Sequence, residues 1–426
     1  MNVTKGSYAS EESISSNNDK LVSTTERLRM IVQDSHLNFL FGAGTPAAFF
    51  GLLGAVEEEL TKISHLKCAD FIKEIVQASI YAYFFESVLM PNIKIIERNS
   101  EAEEVINSYT YFLRTINRIL LKRHSSILAK QANIFTTNID MVFEAALEKL
   151  GIDFIDGFSG KIWPRFDLGN FGTIHLKTAS RFEQRSEIPV FDLVKIHGSA
   201  GWLQEEQSQE KIDIIFDREL TTIKNVNRAL DDARNFLIPL AEPEEVNADN
   251  IAQSIDQTYE YDEVPEAVHN FIKEYKKIGM VNPDKNKFAT TVLNETYYEL
   301  IRRFANEMEK ENSVLFVHGF SFRDEHLRNV VLRAARSNPT LQIIIFCFSR
   351  SDYGNYQKLI PDTAVKNGNI LYIIPEAVEQ DEDEKKATLD VVTEKYFEPI
   401  IADKFQIEKE NGKNVNVTSN EMSKND

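Results

Sequence analysis

Four short segments carry the residues whose types and spacing could do chemistry, and each follows an apolar run. The first is Phe41-Gly42-Ala43-Gly44-Thr45-Pro46. Glycines in such a turn let backbone approach a phosphate, and a helix start beyond it offers free N–H groups. Ala47 holds the third glycine position of a full G-x-G-x-x-G pattern, so the motif is incomplete. The second is Thr136-Thr137-Asn138-Ile139-Asp140. Asn138 and Asp140 either place an amide and a carboxylate at a ligand-binding sheet edge or cap the helix expected over 141–150. The third is Val194-Lys195-Ile196-His197-Gly198-Ser199. His197 is there either a base that works near neutral pH or a hydrogen-bonded turn histidine. The fourth runs from His318 through Gly319, Phe320, Ser321, Phe322, Arg323 and Asp324 to His326. Asp324 can cap the helix that carries Leu327, Val330, Val331 and Ala334. His318 and His326 are separated by a turn with no thiol near, and no metal site is expected from them.

Chemistry of this kind needs strands to present the turns. Short apolar runs at 36–41, 132–136, 193–196, 212–216, 236–240, 314–317, 343–348 and 370–374 predict strands. Helical spacing is expected over 54–89, 101–130, 141–150 and 386–402, with a first helix from Thr24 or Thr25 toward Val32. The alternation predicts an α/β fold, a Rossmann-like parallel sheet with helices on both faces. Residues 1–20 read as a flexible leader, 21–402 as the main domain and 403–426 as a polar tail. Within the domain, 241–287 turns acidic and is broken by Pro243, Pro265 and Pro283, which marks an insertion or small helical subdomain.

Composition narrows the partners. The chain has 426 residues and a net charge of −18, so unassisted binding to nucleic acid or anionic membranes is disfavoured. No apolar run reaches the ~20 residues of a membrane helix, and the polar N-terminus lacks a signal-peptide core, which points to the cytoplasm. Cys68 and Cys347 stand far apart in apolar settings, too few for a disulfide framework or a metal knuckle, and both are expected as buried structural thiols.

In this order, Gly42-Ala43-Gly44, Thr137-Asn138-Ile139-Asp140 and Lys195-Ile196-His197-Gly198 resemble the signatures of the sirtuin (silent information regulator) family. Gly319-Phe320-Ser321-Phe322-Arg323-Asp324 is similar to a turn of its bacterial antiphage branch. The resemblance spans about residues 37 to 350. It implies an enzyme that binds NAD+ as substrate and cleaves the nicotinamide–ribose bond. Asn138 would hold the nicotinamide ribose and a water, Asp140 would support the cationic sugar, and His197 would be the general base. Gly42, Ala43, Gly44 and Thr45 would cradle the pyrophosphate, with Thr137 and Gly198 in the lining. Gly319 and Ser321 would contact the phosphate or the adenosine ribose, and Phe348 and Ser349 would close over the adenosine half.

Two departures bear on the reaction. Protein-deacylating sirtuins carry a zinc module of two cysteine pairs, which two cysteines in all cannot build, and the Gly-Ile-Pro-Asp-Phe-Arg segment after the first turn is replaced by Thr45 to Gly51. The expectation is therefore an NAD+ hydrolase that depletes NAD+ in abortive infection. The alternatives are an NAD-dependent protein deacylase or ADP-ribosyltransferase, and a non-catalytic nucleotide-binding scaffold of an ATPase or nuclease complex. The chain is expected to carry no fused sensor after its last strand, so the resemblance implies a homo-oligomer that assembles with a HerA-like ATPase.

Overall fold

The computed structural model describes residues 2–5, 11–13, 18–51, 56–123, 128–178, 185–208, 211–258, 263–281, 293–375 and 386–401. Seven parallel strands form its centre. They are β1 (His36–Phe41), β2 (Gln131–Thr136), β3 (Phe154–Ile155), β4 (Val190–Lys195), β8 (Ser313–His318), β9 (Gln342–Phe346) and β10 (Ile370–Ile374). Between β4 and β8 run β5 (Gly198–Ser208), β6 (Lys211–Phe216) and β7 (Ile278–Met280), which build a second sheet. The parallel order is β10-β9-β8-β1-β2-β4-β3. The inner strands are largely apolar because both of their faces are covered, the usual state of a parallel sheet, although Asn38, Asp192 and Lys195 are buried in them too. Leu37, Phe39, Phe41, Val314, Phe316, Ile344 and Phe346 point to one face. Leu40, Leu315, Val317, Ile343 and Ile345 point to the other. The architecture is α/β and Rossmann-like.

The first face is covered by α1 (Asn18–Asp34), α3 (Glu103–Leu121), α4 (Val142–Leu150) and the turns over Leu389–Ile401, and the opposite face by α8 (Leu293–Glu309), α9 (Glu325–Ser337) and α10 (Arg350–Leu359). A third core lies apart from the sheet. It joins Val56–Lys62 and α2 (Asp70–Phe84) to α5 (Thr221–Ala233), α6 (Ala248–Thr258) and α7 (Glu266–Tyr275). Tyr81 of α2 stacks on Tyr275 of α7 with ring centroids 4.3 Å apart. The helical subdomain is thus discontinuous, and the segment 241–287 supplies only part of it. An apolar stripe on α2 looks the same in sequence whether it faces a sheet or other helices.

Several expected elements differ. Asn2–Lys5 and Glu11–Ser13, inside the expected leader, extend the sheet antiparallel beyond β10. An edge strand offers unpaired backbone groups, and a polar segment can satisfy them without apolar periodicity. The first helix begins at Asn18, ahead of Thr24 and Thr25. The run 212–216 lies in β6, which pairs antiparallel with β5 in the second sheet. The run 236–240 is no strand: Pro239 interrupts it, and Ile238 N–H donates instead to Ser79 Oγ of α2 at 3.1 Å. Both thiols are free, Cys347 buried but Cys68 only half-buried. The tail 403–426 lies outside the described residues. No described helix is long and apolar enough to cross a membrane.

Candidate active site

The chain leaves β1 toward β2 and β4, and later returns on the other side of β1 to lay down β8, β9 and β10. Connections therefore diverge between β1 and β8, and the carboxyl ends of those strands are where open parallel sheets bind ligands. All four motif turns stand at this edge, and hydrogen bonds together with one charged contact join them into a ring. Asn138 Nδ2 donates to Gly42 O at 3.1 Å. The N–H groups of Gly42 and Gly44 donate to His318 O and Gly319 O at 3.2 and 2.9 Å. Asp324 Oδ2 lies 3.2 Å from His197 Nε2. Ala200 N–H closes the circuit by donating to Ile139 O at 2.8 Å.

The glycines are explained by this ring. A Cβ on Gly42 would stand 2.6 Å from Gly319 O, and one on Gly319 would stand 2.3 Å from Thr45 N. Gly319 also has φ 65°, a left-handed conformation that side chains resist. The space expected for a phosphate beside Gly42 and Gly44 is thus taken by the backbone of the fourth turn. Thr45 N–H donates to Gly42 O, and its hydroxyl lies 3.0 Å from His318 Nδ1. Of the four amides expected to cradle a pyrophosphate, that of Ala43 makes no backbone bond among the described residues.

Asn138 is only 8% exposed. Its N–H donates to Thr136 Oγ1 at 2.9 Å and its side-chain amide reaches Gly42, yet no donor among the described residues reaches its buried Oδ1. Buried polar atoms are nearly always satisfied, so this orphaned acceptor calls for a donor that the described residues do not supply. Asp140, 5% exposed, does what the capping reading expected: its Oδ1 accepts from Val142 N–H at 3.0 Å. Burial nevertheless pushes its carboxyl up to about 6, against the pull of Lys195 and of the Val142 bond.

Lys195 explains much of the floor beneath. Its ammonium, 2% exposed, donates to Asp140 O and, at 2.8 Å, to Glu144 Oε1 in the first turn of α4. Glu144 Oε2 is buried without a partner among the described residues, and burial pushes nearby Asp156 up to about 6 as well. One ammonium therefore serves several carboxyls beneath these turns. Such a lysine in an apolar strand reads as a mere neighbour of His197, so its partners escape sequence reasoning.

No family model matches this chain. No curated protein matches it in sequence either.

His197 stands at the turn between β4 and β5, its backbone fixed by Val281 N–H donating to its carbonyl at 2.9 Å. The adjacent Gly198 has φ 78°, and a Cβ there would meet Gly279 O at 2.2 Å and the buried Tyr297 hydroxyl at 2.7 Å. The side chain of His197 is about one-fifth exposed, as is that of Asp324. Asp324 is a helix cap as expected, Oδ1 accepting from Leu327 N–H at 3.1 Å, but its second oxygen facing His197 went unforeseen. His318 is buried and bonded at both ring nitrogens, to Thr45 and to Ala387 O. Burial lowers its pKa to about 4, so it stays neutral.

The remaining expected residues are spread along the edge. Thr137 N–H donates to Phe41 O at 3.2 Å. Ser321 is exposed, its Oγ facing Arg323 N–H at 3.4 Å. Phe348 is 39% exposed, with Lys386 Nζ 5.6 Å from its ring centroid. Ser349 caps α10 in a reciprocal box with Asp352, and its hydroxyl donates to Asp352 Oδ2 at 2.9 Å. That role accounts for Ser349 without any ligand.

Proposed function

We propose that this chain is a sirtuin-like NAD+ hydrolase that cleaves the nicotinamide–ribose bond to give nicotinamide and ADP-ribose. The single observation that carries the reading is the buried, unpartnered Oδ1 of Asn138 on the same ring of turns as a carboxylate-paired histidine. A ribose hydroxyl or a bound water is a donor of the right kind for that oxygen. Breaking the C1′–N bond sends its electron pair to nicotinamide, which leaves as a neutral base without help from an acid. The sugar left behind carries positive charge. Asp140 and the carboxyls around Lys195 supply negative potential in a low-dielectric setting, where it acts most strongly. Water then forms the new bond to C1′, and its proton passes to His197.

The same reading takes the protein as a cytoplasmic component of antiphage defence, a homo-oligomer acting with a HerA-like ATPase and depleting NAD+ on infection. To test the chemistry, purified protein is incubated with NAD+, alone and with the ATPase, and products are separated by chromatography. His197→Ala and Asn138→Ala should each lower the rate on the order of 10²–10⁴-fold. NAD+ loss that continues at the parent rate in both variants overturns the assignment. Turnover of acyl-lysine peptides by the parent protein would replace hydrolysis with deacylation.

A further inference from the structure

We infer that Asp324 is a positioning residue that makes Nδ1 of His197, and not Nε2, the nitrogen that accepts the proton. The carboxylate is held at both ends. Oδ1 accepts from Leu327 N–H at the start of α9, and Oδ2 faces His197 Nε2 at 3.2 Å. The helix start favours a negative charge at this position. A carboxylate only accepts, so its charge beside Nε2 favours the hydrogen on that nitrogen, and a neutral imidazole then keeps its lone pair on Nδ1. A base oriented by a third group is the general arrangement of activated sites.

The platform beneath Asp324 is rigid. Phe322, fully buried, takes φ 57° and packs edge-on against Phe320 and Tyr356, with ring centroids 4.9 and 5.9 Å away. Arg328 Nη1 donates to Phe322 O at 2.8 Å and ties the turn back to α9. A left-handed non-glycine residue persists only where its surroundings over-determine it. The same turn packs on Gly42 and Gly44, so the motif expected to face the nucleotide also aims the base.

The proposal rests on the hydrolase reading for the use of the base, but the tautomer can be read without turnover. Asp324→Asn keeps an oxygen for Leu327 N–H and turns an N–H donor toward Nε2, which should drive the imidazole hydrogen to Nδ1. Asp324→Ser keeps a cap and gives up the histidine contact. Two-bond ¹H–¹⁵N correlation spectra of histidine-labelled protein at alkaline pH report the tautomer, with His197→Gln to assign the signal. We expect Nε2–H in the parent and Nδ1–H in Asp324→Asn at unchanged melting temperature. NAD+ turnover should fall in kcat on the order of 10²–10⁴-fold, with KM held and Asp324→Ser intermediate. A parent Nδ1–H tautomer, or an Asp324→Asn protein with parental kcat, overturns the role of Asp324. A parent protein and ATPase complex that never cleaves NAD+ overturns the hydrolase reading, while the tautomer still decides how Asp324 holds His197.

Discussion

Replacing Asp140 with Asn should stabilise this protein at neutral pH while removing its chemistry. Asp140 is buried, and its carboxyl rises from the ordinary 3.8 to about 6, chiefly because burial penalises the charged form. The native state therefore binds this proton more tightly than the unfolded chain does. Stability falls as pH rises from 3.8 toward 6 and levels off above. At ~1.4 kcal/mol per tenfold change in proton affinity, the gap is worth roughly 3 kcal/mol. Asn keeps an oxygen for Val142 N–H and carries no charge to desolvate. The variant should thus be more stable than the parent by roughly 3 kcal/mol at about pH 8 and equal to it below about pH 4. Urea unfolding across that range measures the difference. Asp156, also raised to about 6, adds to the parent's slope but cancels in the comparison. A variant less stable than the parent at about pH 8, or offset by the same amount at every pH, would refute the argument.

Four other outcomes follow from the packing. Glu144→Gln leaves the buried Lys195 ammonium without its carboxylate and should cost about 3–5 kcal/mol; a Glu144→Leu/Lys195→Met double variant should recover most of it by urea unfolding, and a double variant worse than the single would contradict this. Gly319→Ala should cost at least ~1–2 kcal/mol from its left-handed backbone alone and weaken NAD+ binding by calorimetry. Gly354→Ala, in α10 with nothing within 4 Å of its added carbon, should instead raise the melting temperature. His318, lowered to about 4 by burial, binds a proton less tightly when folded. Its contribution is complete above 6.5 and lost as pH falls through about 4, so acid unfolding over that window should be shallower in His318→Gln.

The strand-end turns are legible in the sequence because apolar runs stop at Phe41, Thr136, Ile196 and Val317 and polar or glycine residues begin. A parallel sheet buried on both faces leaves few other ways to write that boundary. The helical subdomain is only half legible. Its acidic, proline-broken segment stands out, while α2 and α5 carry the same apolar stripe as any surface helix, and nothing local says which core they join. The N-terminal strands are invisible for the opposite reason, since they pair through backbone and need no apolar pattern.

For the site itself, the sequence alone determines which side chains reach the sheet's carboxyl edge: Asn138, Asp140 and His197, each at the end of an apolar run. Only the tertiary structure decides their partners. Asp324, separated from His197 by more than a hundred residues, meets it because β8 is laid beside β1 after the chain has crossed the sheet. Gly42 has to be glycine because of Gly319, and Asp140, like Asp156, is driven toward neutrality by burial. Contacts and dielectric are properties of neighbours in space, and a linear chain records only neighbours in sequence.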